Sequence, residues 1–298
     1  MSATPDLLSV ALKLRPLSLA PAAGGQPRWW GRAAHSLLLQ IIAAADPALA
    51  ESLHSESALR PFSVSTLLGR FPHGELDLAG VYTLRLTALS APVAAALLQA
   101  IHHGPLAPGG RIELDYLPFE VLAAARDPSD SPWAATSAYT SLGAPWLLAR
   151  QTAPRRLALQ FTSPTSFKTS GKFTPFPLPE LVFGSLLERW NAFAPIQFPA
   201  EARRYAQECL GVARFHLDTR SAPSKGLGLR IGFIGQASFT SLNYDRYWMA
   251  VIAALADFAL FSGVGAGISF GLGQCRRVEE RNSPIQGGET SAPPPAEN

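Results

Sequence analysis

Five glycines between residues 263 and 273 carry the most specific chemical signal in this 298-residue chain. They read Gly263-Val264-Gly265-Ala266-Gly267, then Gly271-Leu272-Gly273-Gln274. Backbone without side chains can approach a phosphodiester or a flipped base closely. A glycine hairpin with purely structural duty is the plainer reading, yet one turn does not need five glycines. The order excludes the common nucleotide sites. A dinucleotide fold runs strand, glycine loop, helix. Here a helical stretch precedes the glycines and a strand-like stretch follows. No Gly-Lys-Ser/Thr occurs, so a P-loop is excluded as well.

Histidine suits proton transfer because its ring titrates near neutral pH. Of the six histidines, His54 lies at the end of a short helix, where a helix-dipole contact would also account for it. His35 flanks the apolar stripe of a longer helix, and a partly buried structural role fits it equally. His73, His102, His103 and His216 have no such company and read as surface or strand residues. Arg60 is a loop cation. Lys168, Lys172, Arg214, Lys225 and Arg230 could line a phosphate-binding face, since backbone contacts supply much of RNA affinity. Singly, each reads as a solvated charge. Trp29 and Trp30 could offer a stacking ring, with one of the pair in the core.

No Asp/Glu cluster resembles a two-metal site. The two cysteines, Cys209 and Cys275, form no Cys-x-x-Cys and no zinc pattern, so neither a disulfide framework nor a structural metal is expected. No cofactor is expected. The formal net charge is +3 and its distribution is uneven. Residues 1–150 carry 10 Lys/Arg against 11 Asp/Glu; residues 151–298 carry 15 against 11. An anionic partner gripped mainly by the second half would explain this, as would a solvated basic face. The first ten residues lack a basic start and contain Asp6, so they do not read as a signal peptide. The apolar stretch 247–273 contains Asp257 and ends in glycines. It reads as a buried helix and a loop rather than a membrane span.

These residues need positioning elements. With 47% apolar residues the chain can build cores, and its length fits two domains. Strand patterns at 7–14, 61–67, 81–89 and 111–123 alternate with helical ones at 28–45 and 92–102, plus a short helix opened by Asp46-Pro47. The second half repeats that order. Strands fall at 157–161, 210–218, 228–235 and 268–278, and helices at 179–193 and from Asp245 to about 262. Two β-α-β-β-α-β units imply an α+β protein of two tandem ferredoxin-like domains. The expected boundaries are 1–125, a linker at 126–138, 139–281, and a disordered tail at 282–298.

Several stretches together resemble the CRISPR repeat-processing endoribonucleases of the RAMP superfamily. The glycine loop sits between the last helix and strand of the second unit, as in that superfamily. Residues 161–168, 177–179, 182–183 and 187–191 resemble the opening of the family's second domain, and 258–265 its helix-to-loop junction. Residues 46–54 and 60–65 resemble the segment that carries its active site. The resemblance implies a metal-independent endoribonuclease that binds CRISPR repeat RNA and cuts precursor crRNA within each repeat. It implies a prokaryotic cytoplasm, no membrane, and room for effector-complex proteins or a second copy of the chain as partners. It implies catalysis by His54, with His35 on the first helix, and Arg60 where relatives carry lysine. The glycines Gly263, Gly265, Gly267, Gly271 and Gly273 and the basic face of the second unit would then grip RNA.

One position departs from the pattern. Some relatives carry tyrosine where this chain has Leu39, and leucine cannot move a proton. Either His35 takes over or the enzyme cuts weakly, and Leu39 also keeps open the alternative of a repeat-binding subunit that does not cut. The implied chemistry is attack by the 2′-hydroxyl on the adjacent phosphorus, with an acid protonating the leaving 5′ oxygen. Cleavage of the cognate repeat should therefore persist in excess EDTA and leave a 2′,3′-cyclic phosphate. A 3′-hydroxyl on the upstream fragment would overturn that chemistry.

Overall fold

The structure is a computed structural model that describes residues 5–19, 29–55, 59–223 and 228–279, with residues 54 and 55 described by their backbone alone. The His54 side chain, Lys225 and the stretch 282–298 lie outside the described residues.

The first unit runs β1 (Leu7–Pro16), α1 (Gly31–Ala45), α2 (Pro47–Ser55), β2 (Phe62–Val64), β3 (Tyr82–Ala88), α3 (Ala91–His103), β4 (Arg111–Leu114) and β5 (Leu117–Ala125). Its sheet order is β2-β3-β1-β5-β4, and the pairs β2/β3, β3/β1 and β1/β5 are antiparallel. That is the ferredoxin-like arrangement, with β4 added as a hairpin arm on β5. A single strand is expected at 111–123, but Asp115 (φ 50°) and Tyr116 (φ 66°) make a two-residue turn there. Neither residue is a glycine, so the turn left no obvious signal.

A short strand, β6 (Ala135–Ser137), then pairs with β1. The stretch read as a linker thus closes against the first sheet. The second unit runs α4 (Tyr139–Leu147), β7 (Arg156–Thr165), β8 (Phe167–Thr169), β9 (Lys172–Thr174), α5 (Pro179–Phe193), α6 (Glu201–Cys209), β10 (Leu210–Pro223), β11 (Leu229–Ser241), α7 (Arg246–Ser262) and β12 (Cys275–Val278). Its main sheet, β10-β11-β7-β12, repeats the ferredoxin-like order. The last strand is shorter than expected, since Ile268–Phe270 forms a 3-10 turn between Gly267 and Gly271, both left-handed.

Capping follows the sequence. Asp46 Oδ1 accepts from Leu49 N (3.0 Å) to start α2, and Asp245 Oδ1 accepts from Trp248 N (3.0 Å) to start α7. Helix α7 is exposed at Arg246 and Tyr247 and largely buried from Met249 to Ser262. Its Asp257 accepts from Arg277 (3.0 Å) and from Trp146 Nε1 (2.7 Å). Among the described residues no helix is long and apolar enough to cross a membrane.

Strand β3 decides how the units meet. Tyr82, Leu84 and Leu86 face the first core, so Arg85 and Thr87 point to the other face. That face is not solvent: Arg85 is 2% exposed. Its Nε donates to Gln274 Oε1 (2.7 Å), and its Nη1 donates to the carbonyl of Leu260 in the last turn of α7. Ser63 Oγ of β2 donates to the next carbonyl, Phe261 O (3.2 Å). A cation and a hydroxyl thus satisfy two carbonyls that the helix end leaves without intrahelical partners. Burial lowers the Arg85 pKa to about 9, so the guanidinium stays charged at neutral pH. Replacing Arg85 with alanine should cost about 3 kcal/mol or more in denaturant unfolding, the scale of leaving two buried acceptors unpaired. An unchanged midpoint would remove Arg85 from this role.

Candidate nucleic-acid interface

The glycine loop lies on the seam between the two units, and much of it is pinned. Val264 N donates to Gly273 O (2.8 Å), Gly265 N to Ser185 Oγ (2.9 Å), Ala266 N to Ser166 O (2.9 Å) and Gln274 N to Ser163 Oγ (2.9 Å). Val264, Ile268 and Leu272 are buried beneath it. Gly263, Gly271 and Gly273 are buried as well, while Gly265 and Gly267 are half-buried. Gly271 shows why glycine is needed. Its φ is +89°, it bridges Ser65 of the first unit, and an added Cβ would lie 2.8 Å from Thr66 N.

The outer bend of the loop meets the first unit's opening helix. Gly31 begins α1 directly beneath Phe270, where a Cβ would fall 1.8 Å from the Phe270 carbonyl oxygen. Trp29 Nε1 donates to that same oxygen (2.7 Å). One turn along α1, His35 Nδ1 stands 2.9 Å from the carbonyl of Ser269. Its ring stacks on Phe270 (centroids 4.5 Å, 29°) and tilts against Phe62 (5.5 Å). A carbonyl can only accept, so Nδ1 carries the proton and Nε2 is the basic nitrogen of the neutral ring. Leu39, one turn further, packs against the first core. Trp30 is core, edge-on to Phe119.

Several basic residues named from the sequence gather around the same loop. Arg230 on β11 lies over the Phe173 ring (4.3 Å), and a Cβ on Gly267 would come within 2.6 Å of its Nη1. Lys168 on β8 lines a cleft of about 630 Å³ together with Leu59, Gly265, Ala266 and the residues of α5. Arg60 follows Leu59 in the chain. Among the described residues, four hold buried side-chain nitrogen or oxygen atoms without a hydrogen-bond partner: Arg60, Ser166, Arg189 and Arg230. Each is linked to the loop or to the cleft beside it.

Other sequence-named residues stand apart. Arg214 and His216 are exposed on β10. His73 sits in an exposed turn, His102 contacts Arg126 (2.9 Å), and His103 closes α3. Helix α2 carries His54 in its last turn, and its side chain lies outside the described residues. Sequence reasoning missed Gly31, Ser269, Phe270 and Arg189. Only Gly31 left a readable sign, as a glycine opening a helix straight after two tryptophans. Among the described residues no group of three or more His, Cys, Asp or Glu could hold a metal ion.

Comparison with known proteins bears on the family and the fold. Residues 159–275 match the family model described as CRISPR-associated endoribonuclease Cas6. The chain is 35% identical over 123 residues to the CRISPR-associated endoribonuclease Cas6 of two Mycobacterium tuberculosis strains. That match covers 41% of this chain and spans 38% of the relatives' length. In structure, the chain is similar to a Thermus thermophilus Cas6 product complex, with TM-score 0.75 and 25% identity over 93% of this chain and 100% of the other. It is similar to a second Cas6 product complex, with TM-score 0.72 and 26% identity over 91% and 99%. The resemblance drawn from the sequence patches is borne out, and with it the tandem ferredoxin-like fold.

The contact between Gly31 and Phe270 generates its own expectation. Gly31→Ala inserts a methyl where a carbonyl oxygen already sits. It should cost about 1–3 kcal/mol, as overpacking does, in thermal or denaturant unfolding. Wild-type stability would mean that α1 and the loop are not in close contact.

Proposed function

We propose that this chain is a metal-independent endoribonuclease that binds CRISPR repeat RNA and cuts precursor crRNA once within each repeat. The observation that carries the reading is the hold of the glycine loop on His35. A proton-transfer group of the first unit is oriented by the carbonyl of Ser269 and the ring of Phe270, beside half-buried glycine backbone and Arg230. The likeness to two Cas6 product complexes supports the same reading. The setting is a prokaryotic cytoplasm and the partner is repeat RNA.

In this mechanism a histidine removes the proton of the 2′-hydroxyl, which attacks the neighbouring phosphorus. The bond to the 5′ oxygen breaks, and an acid protonates that oxygen. The products are a 2′,3′-cyclic phosphate and a 5′-hydroxyl. His35, with Nε2 as its basic nitrogen, and His54 are the proton-transfer groups. Arg60 steadies charge on the crowded phosphorane, where a fixed cation acts most strongly. The second unit's loop, through Gly265 and Gly267, and its basic residues hold the strand.

Single-turnover cleavage at saturating protein tests the roles. His35→Ala and His54→Ala should each slow cutting by roughly 10²-fold, the scale of lost acid/base help. Binding to a repeat blocked by a 2′-deoxy at the cut site should change little. Normal cutting by both variants would pass the chemistry to other residues. Tight binding by a wild type that never cuts would favour the non-cutting repeat-binding subunit, with Leu39 as the reason.

A further inference from the structure

The cleft beside Gly265 contains a cation that the chemistry above does not use. Arg189 is on α5, four residues after Ser185, whose hydroxyl accepts from Gly265 N. It is 8% exposed, and its Nε and Nη1 have no hydrogen-bond partner. Burial lowers its pKa to about 10, with Glu188 opposing, so it remains charged at neutral pH. Leaving N–H groups of a buried charge unpaired is costly. Phosphate offsets that cost well, because its oxygens accept from a guanidinium fork two at a time.

The surroundings suit the same ligand. Lys168 and Arg203 line the cleft with Arg189, against Glu180 and Glu188, which leaves the lining one positive charge in excess. Arg203 lies across α5 at Gly184, where a Cβ would stand 3.1 Å from its Cδ and Nε. Gly265 and Ala266 form the wall toward the loop, and Leu59 reaches in from the first unit. The Ser166 hydroxyl, also buried and unpartnered, belongs to the residue whose carbonyl accepts from Ala266 N. The volume, about 630 Å³, exceeds what one side chain would fill.

We propose that this cleft is a phosphate-binding subsite, built by Arg189, Arg203 and Lys168, that takes a backbone phosphate of the RNA away from the scissile bond. It rests on the RNA-binding reading above and extends it. The strand passes from His35 over the outer bend of the glycine loop and drops a phosphate behind Gly265, onto α5.

The test uses the whole 298-residue chain and a 2′-deoxy-blocked CRISPR repeat RNA. Equilibrium binding is measured across a salt series for Arg189→Gln, Arg203→Gln and Lys168→Gln. Arg111→Gln on β4 serves as a matched loss of charge. Each cleft variant should bind about tenfold more weakly, the scale of one lost charged hydrogen bond. Each should lower the log–log salt slope by about one, and Arg111→Gln should leave it unchanged. Arg203 and Lys168 are exposed, so their variants decide the matter even if Arg189→Gln does not fold.

Wild-type affinity and slope in the folded cleft variants would overturn the subsite. A second arm titrates inorganic phosphate against thermal stability. Stabilisation of wild type that Arg203→Gln loses, in a protein that binds no RNA, would sink the RNA reading and leave an anion site. Absence of both effects would sink the subsite itself.

Discussion

The buried guanidinium of Arg85 is the interaction on which the rest of the structure depends. It sits on the face of a sheet that would otherwise need water, and it replaces water with the carbonyl end of α7 and the amide of Gln274. Gln274 in turn donates to the carbonyl of Val64 (2.8 Å), so the chain emerging from the glycine loop is tied to β2 of the first unit. The Trp133 ring has Arg85 on the first unit 5.2 Å from its centroid and Arg276 on the second 4.9 Å from it. An apolar interface would tolerate sliding. A desolvated charge with fixed acceptors does not, because every displaced bond leaves an unpaired buried group.

This constraint explains why the glycine loop can be specific without being free. Its two ends are held by the same seam: α7 delivers it at Gly263, and Gln274 receives it beside Arg85. Between those points the backbone must reverse direction within a space shared with α1, β2 and α5. Left-handed glycines make the reversal without side chains that would strike Thr66 or Gly31. The surface left over is narrow. Gly265, Ala266 and Gly267 face one way toward the cleft on α5 and toward Arg230, and Ser269 and Phe270 face the other way toward His35.

The fold was legible because its two units repeat one hydrophobic pattern, and both helix caps at Asp46 and Asp245 are written in residue types. What was not legible lies where pattern and environment part. Arg85 and Thr87 alternate with Tyr82, Leu84 and Leu86 as a solvent face would, and periodicity cannot tell water from a second domain. The β4/β5 hairpin turns on Asp115 and Tyr116, residues that carry no turn signature together. For the candidate site, types were readable and meetings were not. His35 and the glycine loop are separated by more than two hundred residues, and their contact runs through the backbone carbonyl of Ser269, which no side-chain motif encodes. Arg189 drew no reading of its own from the sequence, and it is buried.

From the sequence, grip is expected of basic residues and glycines in the second half, and chemistry of histidines and Arg60 in the first. The structure joins the two. The glycine loop supplies the acceptor that fixes the His35 tautomer and the ring that holds its plane. A strand that shifts the outer bend must therefore shift the proton-transfer group with it, since Nδ1 follows the Ser269 carbonyl. If the chain cuts RNA as proposed, that coupling makes correct seating of the RNA a condition for correct orientation of the base. A histidine oriented only by its own helix would act on any phosphodiester that reached it. One oriented by a loop that itself holds the strand would be aligned with that strand, and selectivity for one bond among many would follow from the shared backbone contact.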